Sequence, residues 1–328
     1  MKRVATSLSL LIAAAGGAAS PQAAARRVWA WADGDPAAVA QWRNASWAGV
    51  FDGVQASCGM SFVARSSDEV ELQVNDTVFD SCRPLLAAVR ETGGVFQVWT
   101  NGIPPECLTS PAAAASAAAS AARVAQAYQI DGISLDDESD CAPRSTLANF
   151  TRWVAVVDGI SAALRAAGGR SLSAAVQAMF GIQDVPYAPL CQPPEDAQCS
   201  QACHLAPWAY APDPRVTSLM QGAEVTWLEM DTYYFTTARF LNALQYYVAA
   251  VPGAKLSVAL ENCADLSPDD LAARFHAVDH CGADVATLNV FMLPAFDSLL
   301  PWLRKFKSRC ASCPNGGALS CYEPAVTC

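Results

Sequence analysis

The chain has 328 residues, of which 52% are hydrophobic, and a formal net charge of −10. This length suffices for one large domain or two small ones, and the acidic balance argues against nucleic acid or an anionic membrane as the partner. Thirteen cysteines predict an oxidising compartment. Because the number is odd, one thiol is free or pairs with another chain.

The first 25 residues have the layout of a secretory signal peptide. Lys2 and Arg3 precede an apolar run over residues 8–15, and small residues follow up to Ala25. The run is too short to span a membrane. Sequons begin at Asn44, Asn75 and Asn149. The sequence therefore predicts a secreted, disulfide-bonded, soluble glycoprotein.

Beyond the signal peptide, short apolar runs alternate with amphipathic stretches. The runs predict strands over residues 28–31, 50–56, 95–99, 132–135, 172–178, 225–231, 256–260 and 285–291. The stretches predict helices over residues 36–43, 78–92, 111–128, 146–167, 216–222, 238–251, 268–280 and 296–306. Eight such pairs are typical of an α/β fold of the (β/α)8 TIM-barrel type, here over residues 26–306. The alternative, a doubly wound sheet, usually has fewer strands and a Gly-rich first loop.

Residues 307–328 form a separate cysteine-rich extension in this prediction. The segment holds four cysteines, which indicates an extension held by disulfides. Cys310 and Cys313 also have the spacing of half a zinc site, but an exported chain favours the disulfide.

The octet Asp131–Glu138 is the most informative motif in the chain. It begins as an apolar strand and ends in a cluster of three acids, Asp136, Asp137 and Glu138. In a strand, Ser134, Asp136 and Glu138 share one face and Asp137 points the other way. Two carboxylates on one face repel each other, which raises the pKa of one of them and suits acid/base catalysis. Helix capping and ion pairing are the structural alternatives for such acids.

Catalytic groups of TIM barrels lie at the carboxyl ends of the strands. The predicted strand ends carry acids, amides and aromatic residues, a lining that suits a sugar: Asp33, Gln55, Trp99, Asn101, Asp136, Glu138, Gln177, Asp231, Tyr233, Tyr234 and Glu261. None of the three histidines lies at a predicted strand end, which argues against a Ser-His-Asp triad or a histidine metal site. Adjacent acids that face opposite ways also argue against Ca²⁺ or Mg²⁺, so the sequence predicts neither metal nor cofactor.

The octet resembles the Asp-Gly-x-Asp-x-Asp-x-Glu motif on the fourth strand of family 18 glycoside hydrolases, the chitinases and endo-β-N-acetylglucosaminidases. The resemblance implies that Glu138 is the general acid and that Asp136 orients the substrate's acetamido group, whose oxygen attacks the anomeric carbon. The segment Met230–Tyr234 resembles the family's Met-x-Tyr region, whose Tyr holds the acetamido carbonyl. Tyr233 and Tyr234 are both candidates, and parity with Asp231 favours Tyr233.

The chain departs from the family pattern at two points. Ser134 stands where the family has its middle Asp, and residues 285–293 lack the Trp that usually lines the sugar subsite. Serine can still hydrogen-bond Asp136. The leading hypothesis is a secreted, monomeric, retaining glycosidase whose partner is an N-acetylglucosamine-containing carbohydrate. The alternatives are a lectin-like barrel that binds sugar without cleaving it, and a two-carboxylate hydrolase that pairs Glu138 with Glu261 or Asp231.

Overall fold

The computed structural model describes residues 26–137, 146–176, 214–229, 255–261, 267–278, 287–291 and 299–308, with single positions at 237, 240, 244, 247, 248, 251 and 285. Nine strands lie in this part of the chain: β1 (Arg27–Asp33), β2 (Gly53–Ser66), β3 (Glu69–Val74), β4 (Val95–Asn101), β5 (Gly132–Asp136), β6 (Ser171–Val176), β7 (Thr226–Glu229), β8 (Leu256–Glu261) and β9 (Thr287–Phe291).

The helices follow the strands in the predicted alternation. They are α1 (Pro36–Trp42), α2 (Asp76–Glu91), α3 (Glu106–Thr109), α4 (Pro111–Ala127), α5 (Leu147–Ala166), α6 (Pro214–Gly222), α7 (Pro268–His276) and α8 (Leu300–Ser308). The described positions 237, 240, 244, 247 and 248 are also helical, and all but 237 fall within the predicted helix over 238–251.

Side-chain caps set the start of several helices. The Asp35 carboxylate accepts a hydrogen bond from Ala38 N at 2.7 Å, and Pro36 occupies the first turn of α1. Ser110 caps the Ala-rich helix α4 in the same way, again with a proline in the first turn. Alanine loses little entropy in a helix, so the Ala-rich stretch is helical as the sequence predicts.

Eight parallel strands close into a barrel. Neighbours pair in the order β1, β2, β4, β5, β6, β7, β8 and β9, and β9 pairs with β1 to complete the ring. The predicted TIM barrel is confirmed. The core lies between the strands and the outer helices, where Phe79, Phe96 and Phe150 are fully buried. No helix among the described residues is long and apolar enough to span a bilayer.

The strand prediction missed a β-hairpin. β2 continues to Ser66 rather than ending at Ala56, and β3 returns antiparallel to it. Gly59, with φ near +70°, lies in an irregularity of the β2–β4 pairing between Ser57 and Met60, where β2 leaves the barrel. The hairpin is thus an insertion between the second barrel strand and α2.

A disulfide between Cys58 and Cys82 ties the base of this hairpin to α2. The bond closes a loop of 24 residues in sequence separation, which in the chain-entropy model stabilises the fold by about 3 kcal/mol. We expect the double variant Cys58→Ser, Cys82→Ser to lose free energy of unfolding of about that size in urea titration. A loss below about 0.5 kcal/mol would contradict a stabilising role for this bond.

The signal segment, residues 138–145 and the cysteine-rich tail beyond residue 308 lie outside the described residues. The predictions for the signal peptide and for disulfides in the tail therefore stay predictions.

Candidate active site

The strand register fixes which side chains enter the barrel. Gln55 and Gln97 are paired neighbours on β2 and β4, and their amides meet at 3.1 Å inside the barrel. Because side chains alternate along a strand, Trp99 lies on the same side of β4 as Gln97. The register between β4 and β5 places Ser134 and Asp136 on this interior side as well. The face that holds Asp136 is therefore the face that looks into the barrel.

The lower half of the barrel interior is filled by a polar plug, which we define as Gln55, Gln97, Ser173 and Asn289. Gln55 donates to Ser173 Oγ at 2.9 Å and accepts from Asn289 Nδ2 at 2.6 Å. Ser173 donates to Gln97 Oε1 at 2.8 Å. All four side chains are nearly inaccessible to solvent. The mutual hydrogen bonds offset the cost of burying so many polar atoms.

A small cavity of about 40 Å³ adjoins the polar plug. Its lining includes Ser257 and Asn289, and both Ser257 Oγ and Asn289 Oδ1 are buried without a hydrogen-bond partner in the part of the chain that the structure describes. A polar cavity of this size has room for an ordered water. The plug thus closes the barrel beneath the strand ends.

Aromatic residues lie nearer the carboxyl ends of the strands. Trp31 and Trp99 both face the interior, and their rings meet edge to face with centroids 6.0 Å apart. Trp99 Nε1 is buried and has no hydrogen-bond partner among the described residues. An aromatic surface with an unused N–H donor suits a ligand that has both apolar faces and polar groups, as a sugar does.

Asp136 is the last residue of β5, at the predicted position on the strand, and it is half-buried. Two residues earlier on the same face, Ser134 is fully buried, and its Oγ forms no hydrogen bond with any described residue. The expected hydrogen bond from Ser134 to Asp136 is therefore not formed in this structure.

Asp137 points away from the barrel interior. Its Oδ2 accepts a hydrogen bond from the indole N–H of Trp153 on α5, and both residues are buried. A Cβ added at Gly102 would lie 2.5 Å from Asp137 Oδ1, so the carboxylate packs tightly behind β4. The prediction that Asp137 faces the opposite way from Asp136 is confirmed, and its contacts are structural.

The first two residues of the octet are structural as well. Asp131 Oδ2 accepts from Phe96 N at 2.9 Å, which ties the start of β5 to β4. Asp52 does the same for Val28 N at 2.8 Å, and it also binds Lys307 Nζ at 2.8 Å. Each of these aspartates precedes a glycine that opens a barrel strand. An Asp-Gly pair therefore fixes the start of two barrel strands. Its recurrence in the sequence marks these strand starts, and the strand prediction did not use it.

Gly132 opens β5 because no side chain fits there. A Cβ at this position would lie 2.3 Å from Ser171 O, a backbone atom that cannot move without breaking the β5–β6 pairing. We expect Gly132→Ala to lower the free energy of unfolding by about 1–3 kcal/mol. Gly93→Ala is an unsuitable control because its φ is near +74°. Gly159→Ala, within α5 and with open space around it, should be neutral or stabilising. Equal melting temperatures for the Gly132 variant and wild type would contradict the steric argument.

The structure places only some of the predicted site residues. It brings Asp136 and Trp99 to the same interior face, and Glu261 ends β8 with its Cα paired to Phe291. The side chain of Glu261 lies outside the described part of the chain, as do five whole residues: Glu138, Gln177, Asp231, Tyr233 and Tyr234. Their roles stay predictions.

Two residues predicted to line the strand ends have other roles. Gln55 belongs to the polar plug, because β2 extends eleven residues past it and leaves it deep in the barrel. Asn101 clamps the hairpin: it accepts from Phe62 N at 2.7 Å and donates to Phe62 O at 3.1 Å. Neither side chain is therefore counted among the candidate ligand-binding residues.

Cys107 is not a candidate nucleophile. Burial and, to a smaller extent, the nearby Glu106 carboxylate together raise the pKa of its thiol to about 12. The thiol is therefore protonated at neutral pH, and a protonated thiol is a poor nucleophile and a poor metal ligand. Across the described ranges, no group of three or more His, Cys, Asp or Glu side chains could hold a metal ion.

Comparison with solved structures identifies the architecture. The match with the chitinase from Cycas revoluta bound to an N-acetylglucosamine trimer has a TM-score of 0.53 at 13% identity, and covers 86% of this chain and 98% of that one. The match with the chitinase RmChi1 from Rhizomucor miehei has a TM-score of 0.50 at 14% identity, and covers 86% and 100%. This fold is that of the family 18 chitinases.

The likeness is one of fold. Identity to these chitinases is low, no protein-family model matches the sequence, and no curated protein matches it either. With the spore cortex-lytic enzyme SleL of Bacillus megaterium, the match has a TM-score of 0.48 at 12% identity and covers 74% of this chain; it spans about half, 52%, of the SleL chain. The octet resembles a motif of family 18 glycoside hydrolases, and the fold is similar to that of the two chitinases, so sequence motif and fold agree.

Proposed function

We propose that the protein is a secreted glycoside hydrolase that cleaves β-linked N-acetylglucosamine, in chitin-like polymers or N-glycan cores. The observation that carries the proposal is the position of Asp136. It ends the fourth strand of a chitinase-like barrel and faces the interior beside Trp99, above a closed polar plug. The Cys58–Cys82 disulfide supports an oxidising compartment.

In the proposed mechanism the substrate supplies its own nucleophile. Asp136 orients the acetamido group and stabilises the positive charge of the oxazolinium that forms when the acetamido oxygen attacks the anomeric carbon. Glu138 gives a proton to the departing glycosidic oxygen and then takes one from water. Tyr233 or Tyr234 holds the acetamido carbonyl. Retention of configuration follows from two successive displacements.

Incubation with chito-oligosaccharides and with an N-glycan, followed by mass spectrometry of the products, tests the proposal. We expect cleavage of an acetylated oligomer and no cleavage of the same oligomer after deacetylation, because the nucleophile is then missing. Cleavage of the deacetylated oligomer would instead support a two-carboxylate mechanism, with Glu261 on β8 as the second acid.

One observation favours a second function, a barrel that binds sugar without cleaving it. Ser134 replaces the middle carboxylate of the family motif, and its hydroxyl contacts no polar partner among the described residues. A protein that binds an N-acetylglucosamine oligomer in calorimetry, yet releases no product at saturating substrate, would support this function over hydrolysis.

A further inference from the structure

The β2–β3 hairpin projects beyond the barrel on the side where the candidate site lies. β2 continues from Gly59 to Ser66 after leaving its pairing with β1, a stretch that reaches about 25 Å at ~3.3 Å per residue. Its position at the carboxyl end of the second barrel strand is where (β/α)8 proteins build their binding sites.

The two faces of the hairpin differ in character. Met60, Phe62, Val70 and Leu72 form one face and are nearly inaccessible, because they belong to the core shared with the helices. The opposite face carries the paired positions Ser61–Gln73 and Val63–Glu71, together with Arg65. We call this second set the hairpin polar face.

The hairpin polar face continues the surface that lines the barrel interior. Met60 pairs with Thr100, which lies on the helix side of β4 because it alternates with Trp99. Ser61 therefore falls on the same side as Trp99. Helix α4 covers the free edge of β3, where Ser120 Oγ accepts from Leu72 N at 3.0 Å and Ser116 donates to Val70 O at 3.0 Å. Of the residues that the structure describes, none is shown to cover the hairpin polar face.

Hydrogen bonds hold the polar groups of this face in place but leave part of their hydrogen-bonding capacity unused. Arg65 Nε donates to Glu71 Oε2 at 3.1 Å, and the Gln73 amide, turned so that its oxygen faces the guanidinium, accepts from Arg65 Nε at 3.0 Å. These contacts leave Glu71 Oε1 and the Gln73 amino group without hydrogen-bond partners among the described residues. Both are groups that bind hydroxyl and acetamido groups, and Val63 between them offers an apolar surface.

Covalent and hydrogen-bond contacts hold the hairpin at its base, its middle and its turn. The Cys58–Cys82 disulfide fixes its base, the Asn101 amide grips Phe62 on both backbone groups, and Ser110 donates to Asp68 Oδ1 at 2.6 Å near the turn. A preordered surface loses little conformational entropy on binding. Arg65 and Glu71 neutralise each other, and the exposed Glu69, which shares their side of β3 by alternation, adds one negative charge. This balance suits a neutral ligand rather than a polyanion.

From these observations we propose that the hairpin polar face binds the outer sugar units of an extended β-linked N-acetylglucosamine chain, beyond the units at Asp136. The inference rests on the proposed function, because continuity with the Asp136 face is what selects a glycan as the occupant. Adjacent strands lie ~4.8 Å apart. β2 and β5 are separated only by β4, so the face begins close enough to serve the same chain.

The test compares short and long substrates. We expect the double variant Arg65→Ala, Gln73→Ala to lower kcat/KM for an N-acetylglucosamine hexamer about 5- to 30-fold more than for a trimer, because it removes the Gln73 amino group and the guanidinium that positions Glu71. The matched control is Arg43→Ala. Arg43 is as exposed as Arg65, 53% against 52%, and it also pairs with a glutamate, Glu91, at 3.0 Å. It lies near the opposite end of the barrel, since α1 and α2 end there, and it should leave the hexamer-to-trimer ratio unchanged.

Binding measurements separate the failure of this inference from failure of the proposed function. Equal losses for hexamer and trimer in the double variant overturn the inference while hydrolysis stands. If the wild-type protein cleaves neither oligomer, calorimetry with the hexamer decides: binding that weakens in the double variant but not in Arg43→Ala supports the hairpin site without hydrolysis. Absence of hexamer binding, or binding equal in all three proteins, overturns the inference.

Discussion

Replacement of Glu138 by Gln should reduce kcat on a chito-oligosaccharide by about 10²- to 10⁴-fold, the range measured for loss of a general acid. Gln keeps the size and a hydrogen-bond donor but has no proton to give to the departing oxygen. An aryl glycoside with an acidic phenol as leaving group needs little protonation, so its cleavage should fall much less. Steady-state kinetics on both substrates measures this difference directly.

Two outcomes would contradict the role of Glu138. Equal losses on both substrates would show that the residue does not act as proton donor, and unchanged activity on the oligosaccharide would remove it from the mechanism. Glu91→Gln is the control, because Glu91 is an exposed partner of Arg43 at the end of α2. That variant should retain wild-type kinetics on both substrates.

Replacement of Asp136 by Asn should reduce kcat by about 10²- to 10³-fold with a smaller change in KM. The substitution preserves shape at the end of β5 but removes the negative charge that would stabilise the oxazolinium. Since that charge develops after binding, the loss should fall on kcat rather than on affinity. Kinetics with an acetylated trimer, with thermal unfolding measured in parallel, gives the result.

The adjacent residue provides a matched control for that charge change. Asp137→Asn makes the same substitution on the opposite face, where the carboxylate accepts from Trp153 Nε1. We expect a loss of stability of about 1–2 kcal/mol and normal kcat in the folded protein. If Asp137→Asn reduced kcat as much as Asp136→Asn, the division of roles between the two faces of β5 would be wrong.

Much of the barrel could be predicted from local pattern alone. Eight apolar runs and eight amphipathic stretches recur in alternation, and caps such as Asp35–Pro36 and Ser110–Pro111 mark where helices begin. The hairpin escaped prediction because it lengthens one barrel strand and adds another strand, β3, inside one βα unit. Its apolar positions, Met60, Phe62, Val70 and Leu72, alternate clearly enough. Eight barrel strands are already predicted without these positions, and no residue pattern shows that they pair with each other.

The candidate site was predictable where a single strand determined it. Period-2 alternation alone separates Asp136 from Asp137, and the structure agrees for both side chains. It was not predictable where long-range register decided the outcome. The sequence places Gln55 at the rim because the predicted strand ends at Ala56. Only the register with β4 and the closure of the barrel show that its side chain bonds Gln97 and, across the interior, Asn289 of β9.

The polar plug also determines how a polymeric substrate could bind to this protein. With Gln55, Gln97, Ser173 and Asn289 bonded across the barrel, the described residues leave no passage along its axis. A long chain could not thread through the molecule and would have to lie across the mouth with both of its ends free. Substrate, water and the two fragments would then share one entrance, so departure of product on that single open side could set the pace of turnover.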